Sequence, residues 1–498
     1  MYYYFNPDYH LKYNKDNFLL LTYSLFFSPK YNGETKFESK IPQLFAVLLS
    51  YFDGQNLDSI YDKIEKDCKI QREKVEPLLS QLINNDERVF LKIEKEGYVF
   101  PKNCIIKRNK PIIEYKEYSH IRENKYNIDF PVIDINRHYT PTDIILNLTT
   151  KCYTDCIYCY CDRSRKFDSP LSLDKINSLT DEFENIGVRN FDITGGDIFM
   201  YSKWKEVIKY VISRGFKPYL STKKPLNETE VEILKNIGVD SIQFSLDSLF
   251  PKQSTEVVRI GDGYIDKVRK TFNCLKKYGI EVNLHTIITN KNKEKESILK
   301  LSEFVREFDN IYEWRIDNAF YSSFLTLGQN KLMLPRLHDM EKIGEWLKEI
   351  EQTMRKDVKL TYLEAGDFKT EPYQTIEEFH DRRSGCSANW SALYVLPDGK
   401  VTICEFLYWH ERFIIGDINK NTILEIWNSE KAKNLFHLKR EMVRDSSPCK
   451  HCDGFEICHN YKHFCWKDVI AAYGNENWDF PDPSCPKAPK HDKHLKLL

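Results

Sequence analysis

The sequence lacks a surplus of either charge, since 73 Lys and Arg residues stand against 74 Asp and Glu residues. Such a balance argues against a general attraction to nucleic acid or to an anionic membrane. The sequence also lacks a long hydrophobic run: the most apolar early stretch, residues 19–27, is far too short to span a bilayer. No charged start followed by an apolar stretch opens the chain, so we predict no secretion signal. We therefore expect a cytoplasmic protein without a nucleic-acid or membrane partner.

Length and cysteine content are the informative features that remain. A chain of 498 residues is too long for one hydrophobic core, so we expect two to four domains. In a reducing cytoplasm, clustered cysteines more often bind metal or act in catalysis than form disulfides. Ten of the 14 cysteines fall into two groups, one of three and one of seven. The other four are expected to be small hydrophobic residues: Cys68, Cys104, Cys161 and Cys274.

The first region, residues 1–105, has the pattern of three helices followed by a hairpin. Apolar residues at helical spacing predict a helix that includes Ile41 and ends before Asp53 and Gly54, then two more within residues 60–82. A strand is predicted at 17–23, and a hairpin at 89–93 and 98–100 with Glu96 and Gly97 as its turn. This order is typical of a winged-helix module. Mixed local charges count against DNA binding, and a purely structural cap is the other alternative.

The second region, residues 139–335, follows a predicted linker at 106–138 and alternates strands with helices. Two of the helices end at glycines, Gly187 and Gly238, and Asn227 caps one of them. Six β–α repeats imply a parallel sheet, either doubly wound or curled into a partial barrel. In both cases ligands gather at the carboxyl ends of the strands. The predicted strands are 144–148, 191–194, 217–221, 241–246, 281–287 and 312–316.

The first cysteine group lies on the loop at the carboxyl end of the first of these strands. Cys152, Cys156 and Cys159 have the spacing Cys-x3-Cys-x2-Cys. Three thiolates on one loop can hold three irons of a 4Fe–4S cluster and leave the fourth iron open for a substrate. A zinc knuckle is the alternative, but zinc usually takes four ligands in paired Cys-x2-Cys spacing, and Cys161 is the only further cysteine nearby.

This loop resembles the hallmark Cys-x3-Cys-x-aromatic-Cys of the radical S-adenosylmethionine superfamily, and the resemblance covers most of residues 143–316. It implies an α/β fold with a partial (β/α)6 TIM-like barrel. It also implies that S-adenosylmethionine binds the open iron and is cleaved to a 5′-deoxyadenosyl radical.

The resemblance further implies a set of cofactor contacts at successive strand ends. Tyr158 and Ile316 stand at positions that contact adenine. Gly195, Gly196 and Asp197 resemble a Gly-Gly-Glu motif that binds the methionine amino group, with aspartate shortening the reach by one methylene. The remaining positions are Thr222 near the cofactor, Ser245 and Asp247 of a Ser-Leu-Asp near the ribose, and Arg259, which matches an arginine that pairs with the methionine carboxylate.

The second cysteine group lies in residues 381–498, after a predicted bridging helix and strand at 336–380. Its order resembles the SPASM extension of radical enzymes that modify peptides and proteins, although the gap before Cys465 is longer than usual. The resemblance implies two auxiliary 4Fe–4S clusters. One would be held by Cys449, Cys452, Cys458 and Cys485, and the other by Cys386, Cys404 and Cys465.

Seven thiolates leave one auxiliary position open. A histidine (His380 or His459), a carboxylate, water or a substrate thiolate could fill it. Zinc is the alternative for the whole group. Glu405 directly follows Cys404. A related sulfatase-maturing enzyme has a catalytic aspartate there, so Glu405 is a candidate base, with a solvated carboxylate as the alternative.

The first region, finally, resembles a leader-peptide recognition domain, which binds an extended leader along an exposed strand edge. Together the resemblances imply a radical SAM maturase of a ribosomally synthesised peptide that forms a thioether or carbon–carbon cross-link. Its partners would be the precursor peptide and an electron donor such as flavodoxin or ferredoxin. The alternatives are a maturase of a folded protein, like sulfatase maturases, and a non-catalytic metal-binding scaffold.

Overall fold

A computed structural model describes residues 1–23, 29–93, 96–113, 115–123, 137–162, 171–322, 324–362, 372–383, 385–461 and 465–490. Parts of the predicted linker and of the predicted bridging segment lie outside these ranges, at 124–136 and 363–371. The chain divides into two compact units: Met1–Thr142 with Asn185–Asn190, and Asp143–Glu184 with Phe191–Leu498. The finer division into five segments stays a prediction.

The first unit is built from short strands and helices around one apolar core, in which Phe5, Phe52 and Phe100 are fully buried. Its described elements are β1 (Tyr2–Phe5), β2 (Tyr9–Asn14), β3 (Asn17–Thr22), β4 (Glu38–Ile41), α1 (Gln43–Ser50), β5 (Asp53–Gln55), α2 (Leu57–Cys68), α3 (Arg72–Leu79), β6 (Val89–Ile93), β7 (Glu96–Phe100), β8 (Ile105–Arg108) and α4 (Ser119–Glu123). The strands form the sheets β5-β1-β8 and β2-β3-β4 and the hairpin β6-β7.

Three helices and a hairpin occur here in the predicted order, and the winged-helix assignment stays a prediction. Two details differ from the sequence prediction. Ile41 ends strand β4 and pairs with Phe18, because Pro42 separates it from α1. Glu96 and Gly97 belong to β7 and are not the hairpin turn, since Glu96 pairs with Ile93.

The second unit begins with alternating strands and helices. The described elements of this part are β9 (Asp143–Asn147), α5 (Leu173–Asn185), β10 (Asn190–Thr194), α6 (Trp204–Ser213), β11 (Ser221–Thr222), α7 (Glu228–Ile237), β12 (Ser241–Ser245), α8 (Pro251–Val258), α9 (Tyr264–Lys277), β13 (Glu281–Ile288), α10 (Lys295–Glu307), β14 (Ile311–Asn318), α11 (Leu327–Met333), α12 (Leu337–Glu351) and β15 (Lys359–Tyr362).

The later part of the unit has shorter elements. They are α13 (Ile376–Arg382), β16 (Ala392–Val395), β17 (Lys400–Thr402), β18 (Ile414–Asp417), α14 (Ile423–Trp427), α15 (Glu430–Phe436), α16 (Phe455–Tyr461) and α17 (Trp466–Tyr473). No helix among the described residues has the length and apolarity that a bilayer crossing requires.

Strands β9 to β14 follow one another in chain order through two five-stranded sheets, β10-β9-β16-β17-β18 and β11-β12-β13-β14-β15. A single parallel bridge between Ile193 and Leu220 joins the sheets between β10 and β11. The predicted six-stranded partial barrel is therefore confirmed. Strand β11 is shorter than the predicted 217–221, because Pro218 has no N–H to donate to a ladder. At the other edge β16 pairs in parallel with β9, in the register Ala392 to Asp143.

Candidate active site and metal centres

The predicted cluster loop follows β9 and carries the thiols of Cys152, Cys156 and Cys159. A hydrogen bond of 3.0 Å from the Asp155 amide to the Val258 carbonyl ties the loop to the end of α8. Cys152 is exposed, whereas Cys156 is buried. The local sequence thus fixes the loop on the barrel while leaving one thiol open to solvent.

The thiols of this loop differ in acidity. Burial raises the pKa of Cys156 to about 11. A hydrogen bond with Cys161 lowers the pKa of Cys159 to about 7. The Thr154 hydroxyl lies 3.2 Å from Cys156 Sγ and 3.6 Å from Cys152 Sγ. Because thiolates are the ligands of iron, binding of a cluster must displace protons here.

The three thiols open into one cavity of about 200 Å³. Tyr160, Cys161 and Tyr408 also line it. The predicted site residues that line the cavity are Cys152, Cys156, Tyr158, Cys159, Gly195, Gly196, Asp197, Thr222 and Ser245.

The two glycines after β10 allow the cluster loop to approach closely. A Cβ on Gly196 would lie 2.3 Å from the carbonyl oxygen of Lys151, and a Cβ on Gly195 would lie 2.7 Å from that of Thr149. The Gly196 amide donates to the Thr149 carbonyl at 2.7 Å, and the Cys152 thiol donates to the Gly196 carbonyl at 3.4 Å. Both glycines are therefore required for loop packing, whatever they contact in a ligand.

Asp197 is buried, and both of its carboxylate oxygens accept hydrogen bonds from the chain. Oδ2 accepts from the Thr222 hydroxyl at 2.7 Å and from the amides of Lys223 and Lys224 at 3.2 and 3.3 Å. Oδ1 accepts from the Phe199 amide at 3.0 Å. Burial raises the pKa of Asp197 in spite of these bonds. Asp197 thus joins the ends of β10 and β11, and its contact with the methionine amino group stays a prediction.

Lys223 is a residue that the sequence analysis missed. Among the described residues that line the cavity it is the one cation. Its Nζ lies 3.1 Å from Oδ2 of Asp247 and 5.6 Å from the centre of the Tyr158 ring. The signal that could have identified it is its position directly after Thr222, at the carboxyl end of β11, where ligands gather.

Three predicted contacts, Asp247, Arg259 and Ile316, do not line the cavity. Arg259 follows α8 with a φ of 53° and is about half exposed; its Nη1 donates to Oδ2 of Asp155 at 2.8 Å. Ile316 is buried within β14. Asp247 is buried behind the lining residues.

Four of the later thiols surround a second, smaller cavity. It has a volume of about 30 Å³ and is lined by Cys449, Cys452, Cys458 and Cys485. His380 of α13 and His459 of α16 line the same cavity, and burial lowers the pKa of His459 to about 3. The sequence had suggested these histidines as ligands for the open position of the cluster held by Cys386, Cys404 and Cys465. The structure corrects this, because the two helices that carry them flank the four-thiol cavity.

The other three thiols lie close enough together to affect one another electrostatically. Burial raises the pKa of all three thiols, to about 12 for Cys404, and a thiolate at Cys386 would raise the pKa of Cys404 and Cys465 further. Lys467 acts on all three thiols, and Asp468 acts on Cys386 and Cys465. Asp468 is therefore a carboxylate that the sequence analysis did not name for the open position.

The four thiols of the smaller cavity fit an iron–sulfur cluster. In the part of the chain that the structure describes, no three Cys, His, Asp or Glu side chains converge as ligands of one metal ion. The four-thiol cavity instead places sulfur around an enclosed volume. Four cysteine thiolates around one volume are the usual protein ligands of a 4Fe–4S cluster.

Glu405 connects the two halves of the second unit. Its Oε2 accepts a 2.9 Å hydrogen bond from the hydroxyl of Tyr160, which lines the large cavity. Burial raises the pKa of Glu405. Tyr160 directly follows Cys159, and Glu405 directly follows Cys404. This hydrogen bond therefore joins the first cluster loop to the three-thiol set.

Comparison with known proteins gives two family matches. Residues 146–305 match the Radical SAM superfamily, and residues 386–453 match SPASM, an iron–sulfur cluster-binding domain. Among curated proteins, the chain is 24% identical over 306 residues to the antilisterial bacteriocin subtilosin biosynthesis protein AlbA of Bacillus subtilis. That stretch covers 60% of this chain and 62% of AlbA, so less than two thirds of AlbA is matched.

Solved structures of SuiB from Streptococcus suis share the fold. The structure bound to S-adenosylmethionine matches with a TM-score of 0.64 at 15% identity, over 97% of this chain and 99% of SuiB. The structure bound to the precursor peptide SuiA matches with a TM-score of 0.63. At this identity the likeness concerns the fold.

The first family match contains Cys152, Cys156 and Cys159, and the second begins at Cys386 and contains four of the seven later cysteines. The cofactors are accordingly 4Fe–4S clusters and S-adenosylmethionine. The chain thus contains a region that matches the Radical SAM superfamily, at residues 146–305, followed by a region that matches the SPASM iron–sulfur cluster-binding domain, at residues 386–453.

Proposed function

We propose that the chain is a radical maturase of a ribosomally synthesised peptide and forms a thioether or carbon–carbon cross-link in it. The observation that carries this proposal is that one compact unit holds the large three-thiol cavity and both later thiol sets. Two similarities support a peptide substrate: AlbA is named for subtilosin biosynthesis, and SuiB was solved with its precursor peptide over a nearly full-length match.

In this proposal Cys152, Cys156 and Cys159 hold the first cluster, and S-adenosylmethionine occupies the cavity beside it. The bound group supplies a 5′-deoxyadenosyl radical that takes a hydrogen atom from the substrate. Lys223 offers its ammonium to the methionine carboxylate, because it is the cation among the described lining residues. Tyr158 presents its ring beside Lys223.

Closure of the cross-link releases a proton from the attacking group, and Glu405 is proposed to accept it. Its burial raises its pKa, which brings a carboxylate closer to the range in which it can exchange protons near neutral pH. The Tyr160 hydroxyl, which lines the cavity and donates to Glu405, stands between this carboxylate and the substrate space. Tyr160 would therefore orient Glu405.

The first unit is proposed to bind the leader of the precursor. Its sheet β2-β3-β4 has β2 and β4 as edge strands. An edge strand can accept an extended peptide through main-chain hydrogen bonds. A flavodoxin or ferredoxin is the proposed electron donor.

The test is anaerobic reconstitution of the full chain with iron and sulfide, followed by reaction with a precursor peptide encoded beside its gene. The proposal predicts about twelve irons per chain, about four for each cluster, release of 5′-deoxyadenosine on reduction, and a peptide that is lighter by a pair of hydrogen atoms. The Cys152→Ala, Cys156→Ala, Cys159→Ala variant is the control and should give neither product.

The same assay separates the alternatives. A precursor without its leader should react with a lower kcat/KM, whereas a maturase of folded proteins would be indifferent to the leader. Removal of every cysteine from the substrate should abolish a thioether product, and a persistent cross-link would assign carbon–carbon chemistry. Zinc alone, without cleavage of S-adenosylmethionine, would reduce the chain to a scaffold.

A further inference from the structure

A buried arginine contacts one of the four thiols around the smaller cavity. Arg383 directly follows α13 and is only 5% exposed. Its Nη1 donates to Sγ of Cys458 at 3.2 Å, and its Nη2 donates to the carbonyl oxygen of the same residue at 2.8 Å. The guanidinium also stacks on Phe379, with 4.7 Å between its central carbon and the ring centre. Packing and two hydrogen bonds therefore hold a positive charge against one cluster ligand.

A second arginine in the same region provides a comparison. Arg440 stacks on Phe455, also at 4.7 Å. Its Nη1 donates to the carbonyl oxygens of Lys450 and Cys452, each at 3.0 Å. The structure gives it no hydrogen bond to a thiol of the four-cysteine set. The two arginines thus share charge and aromatic stacking and differ in the sulfur contact. Arg440 is also more exposed than Arg383, and its Nη2 lies 3.4 Å from Oε1 of Glu456.

Hydrogen bonds and positive charge at the sulfur ligands stabilise the reduced form of an iron–sulfur cluster, because reduction adds negative charge that is spread over those sulfurs. We propose that Arg383 is a positioning residue that raises the reduction potential of the cluster held by Cys449, Cys452, Cys458 and Cys485. The proposal about Arg383 rests on the proposed function, in which these four cysteines hold an auxiliary 4Fe–4S cluster.

The electron concerned belongs to the proposed cross-linking reaction. A substrate carbon radical that closes onto a thiol forms a C–S bond, releases the thiol proton to a base and gives up one electron. A 4Fe–4S cluster held by the four thiols would accept that electron. By raising the potential of the four-thiol cluster, Arg383 makes it the better acceptor of the electron.

The experiment is a potentiometric titration of the reconstituted full-length enzyme, followed by electron paramagnetic resonance. The wave of this cluster is identified as the one lost, together with about four irons per chain, in Cys458→Ala. Arg383→Met should then shift that wave to more negative potential. A shift of 59 mV corresponds to a tenfold change in the ratio of reduced to oxidised cluster. Arg383→Lys, which keeps the charge, should shift the wave less than Arg383→Met does.

Arg440→Met is the matched control and should shift the same wave less than Arg383→Met does. An unchanged wave in Arg383→Met with full iron content would overturn the proposal, as would an equal shift in Arg440→Met. Loss of these irons in both Arg383→Met and Arg383→Lys would make Arg383 a residue of cluster assembly and would also overturn it. Because iron content and potential are read without a peptide substrate, these outcomes are independent of the proposed maturase activity.

Discussion

The Tyr158 hydroxyl donates a 2.6 Å hydrogen bond to Oδ2 of Asp247, which links the cluster loop to the residues that follow β12. Lys223 Nζ contacts the same carboxylate oxygen at 3.1 Å. Asp247 thus positions both the aromatic ring of the loop and the cation of the cavity. This arrangement holds the Lys223 ammonium in place beside the Tyr158 ring.

Substitution of Lys223 tests which cation binds the cofactor carboxylate. Because a hydrogen bond to a charged group contributes about 1.5–3 kcal/mol, Lys223→Met should weaken S-adenosylmethionine binding by about tenfold or more. Arg259→Met is the matched control, since Arg259 is half exposed and paired with Asp155; its affinity should change by no more than about twofold. Equilibrium dialysis on the reconstituted enzyme measures both. A larger loss of affinity in Arg259→Met than in Lys223→Met would indicate that Arg259 binds the methionine carboxylate.

A methyl group at position 196 should disturb the first cluster alone. In Gly196→Ala the new Cβ would meet the Lys151 carbonyl at 2.3 Å, so the cluster loop must shift. We expect loss of about four irons per chain and of cofactor cleavage. Gly344→Ala, in an α12 position with no atom within 4 Å of the added Cβ, should retain all iron and gain about 0.5–1 kcal/mol of stability. Full iron in Gly196→Ala would contradict the packing argument.

Glu405→Gln should separate cofactor cleavage from product formation. The variant keeps the shape and the hydrogen bond with Tyr160 but cannot accept a proton, so peptide cross-linking should fall by about 10²-fold or more. Release of 5′-deoxyadenosine and iron content should stay at their wild-type values. Tyr160→Phe, which removes only the donor, should have a smaller effect. Equal product yields from Glu405→Gln and wild type would leave Glu405 a structural carboxylate.

The first unit should lose stability in mild acid because of His10. This histidine is buried, with its Nδ1 3.1 Å from the Tyr118 hydroxyl, and burial holds its pKa well below the ordinary value. The unfolded chain therefore takes up a proton near pH 6.5 that the folded unit does not, and stability falls as the pH drops below that value. At about pH 5.5 the loss should approach 1.4 kcal/mol.

Hydrogen exchange of the β2 and β3 amides measures this loss of stability. The rates are compared at about pH 7.5 and pH 5.5, on either side of the ordinary histidine pKa of about 6.5, after division by the intrinsic exchange rate at each pH. His10→Gln should remove this pH dependence, whatever the substitution does to stability at the higher pH. His120→Gln, a change at an exposed histidine of α4, should keep most of it. A wild-type slope in His10→Gln would assign the acid sensitivity to other groups.

Features that depend on neighbouring residues were the most predictable. Asn227 and Glu230 form the expected cap of α7 with reciprocal 2.9 Å bonds, and Gly238 ends that helix with a φ of 102°. The resemblance to the SPASM extension implied which four thiols would share a cavity. In each case the determining contacts lie within a short stretch of sequence or repeat a spacing with a known chemical purpose.

Features that depend on distant contacts were missed. No local pattern shows that Asp197 would accept bonds from residues 25 to 27 positions further on. The same applies to the choice between Lys223 and Arg259, because only the folded barrel determines which of them lines the cavity. His380 and His459 were assigned to the three-thiol set but line the four-thiol cavity, since their position depends on how α13 and α16 pack.

The parallel pairing of β16 with β9 has a consequence for how such a protein can be divided or recombined. Residues 392–395 complete a sheet that begins at 143–147, so a chain cut between the two family regions would expose the full main-chain edge of β9. An open edge of this kind pairs with other chains and promotes aggregation. Gene fusions, truncations for expression and chimaeras with relatives should therefore keep residues 143–417 together as one exchangeable segment.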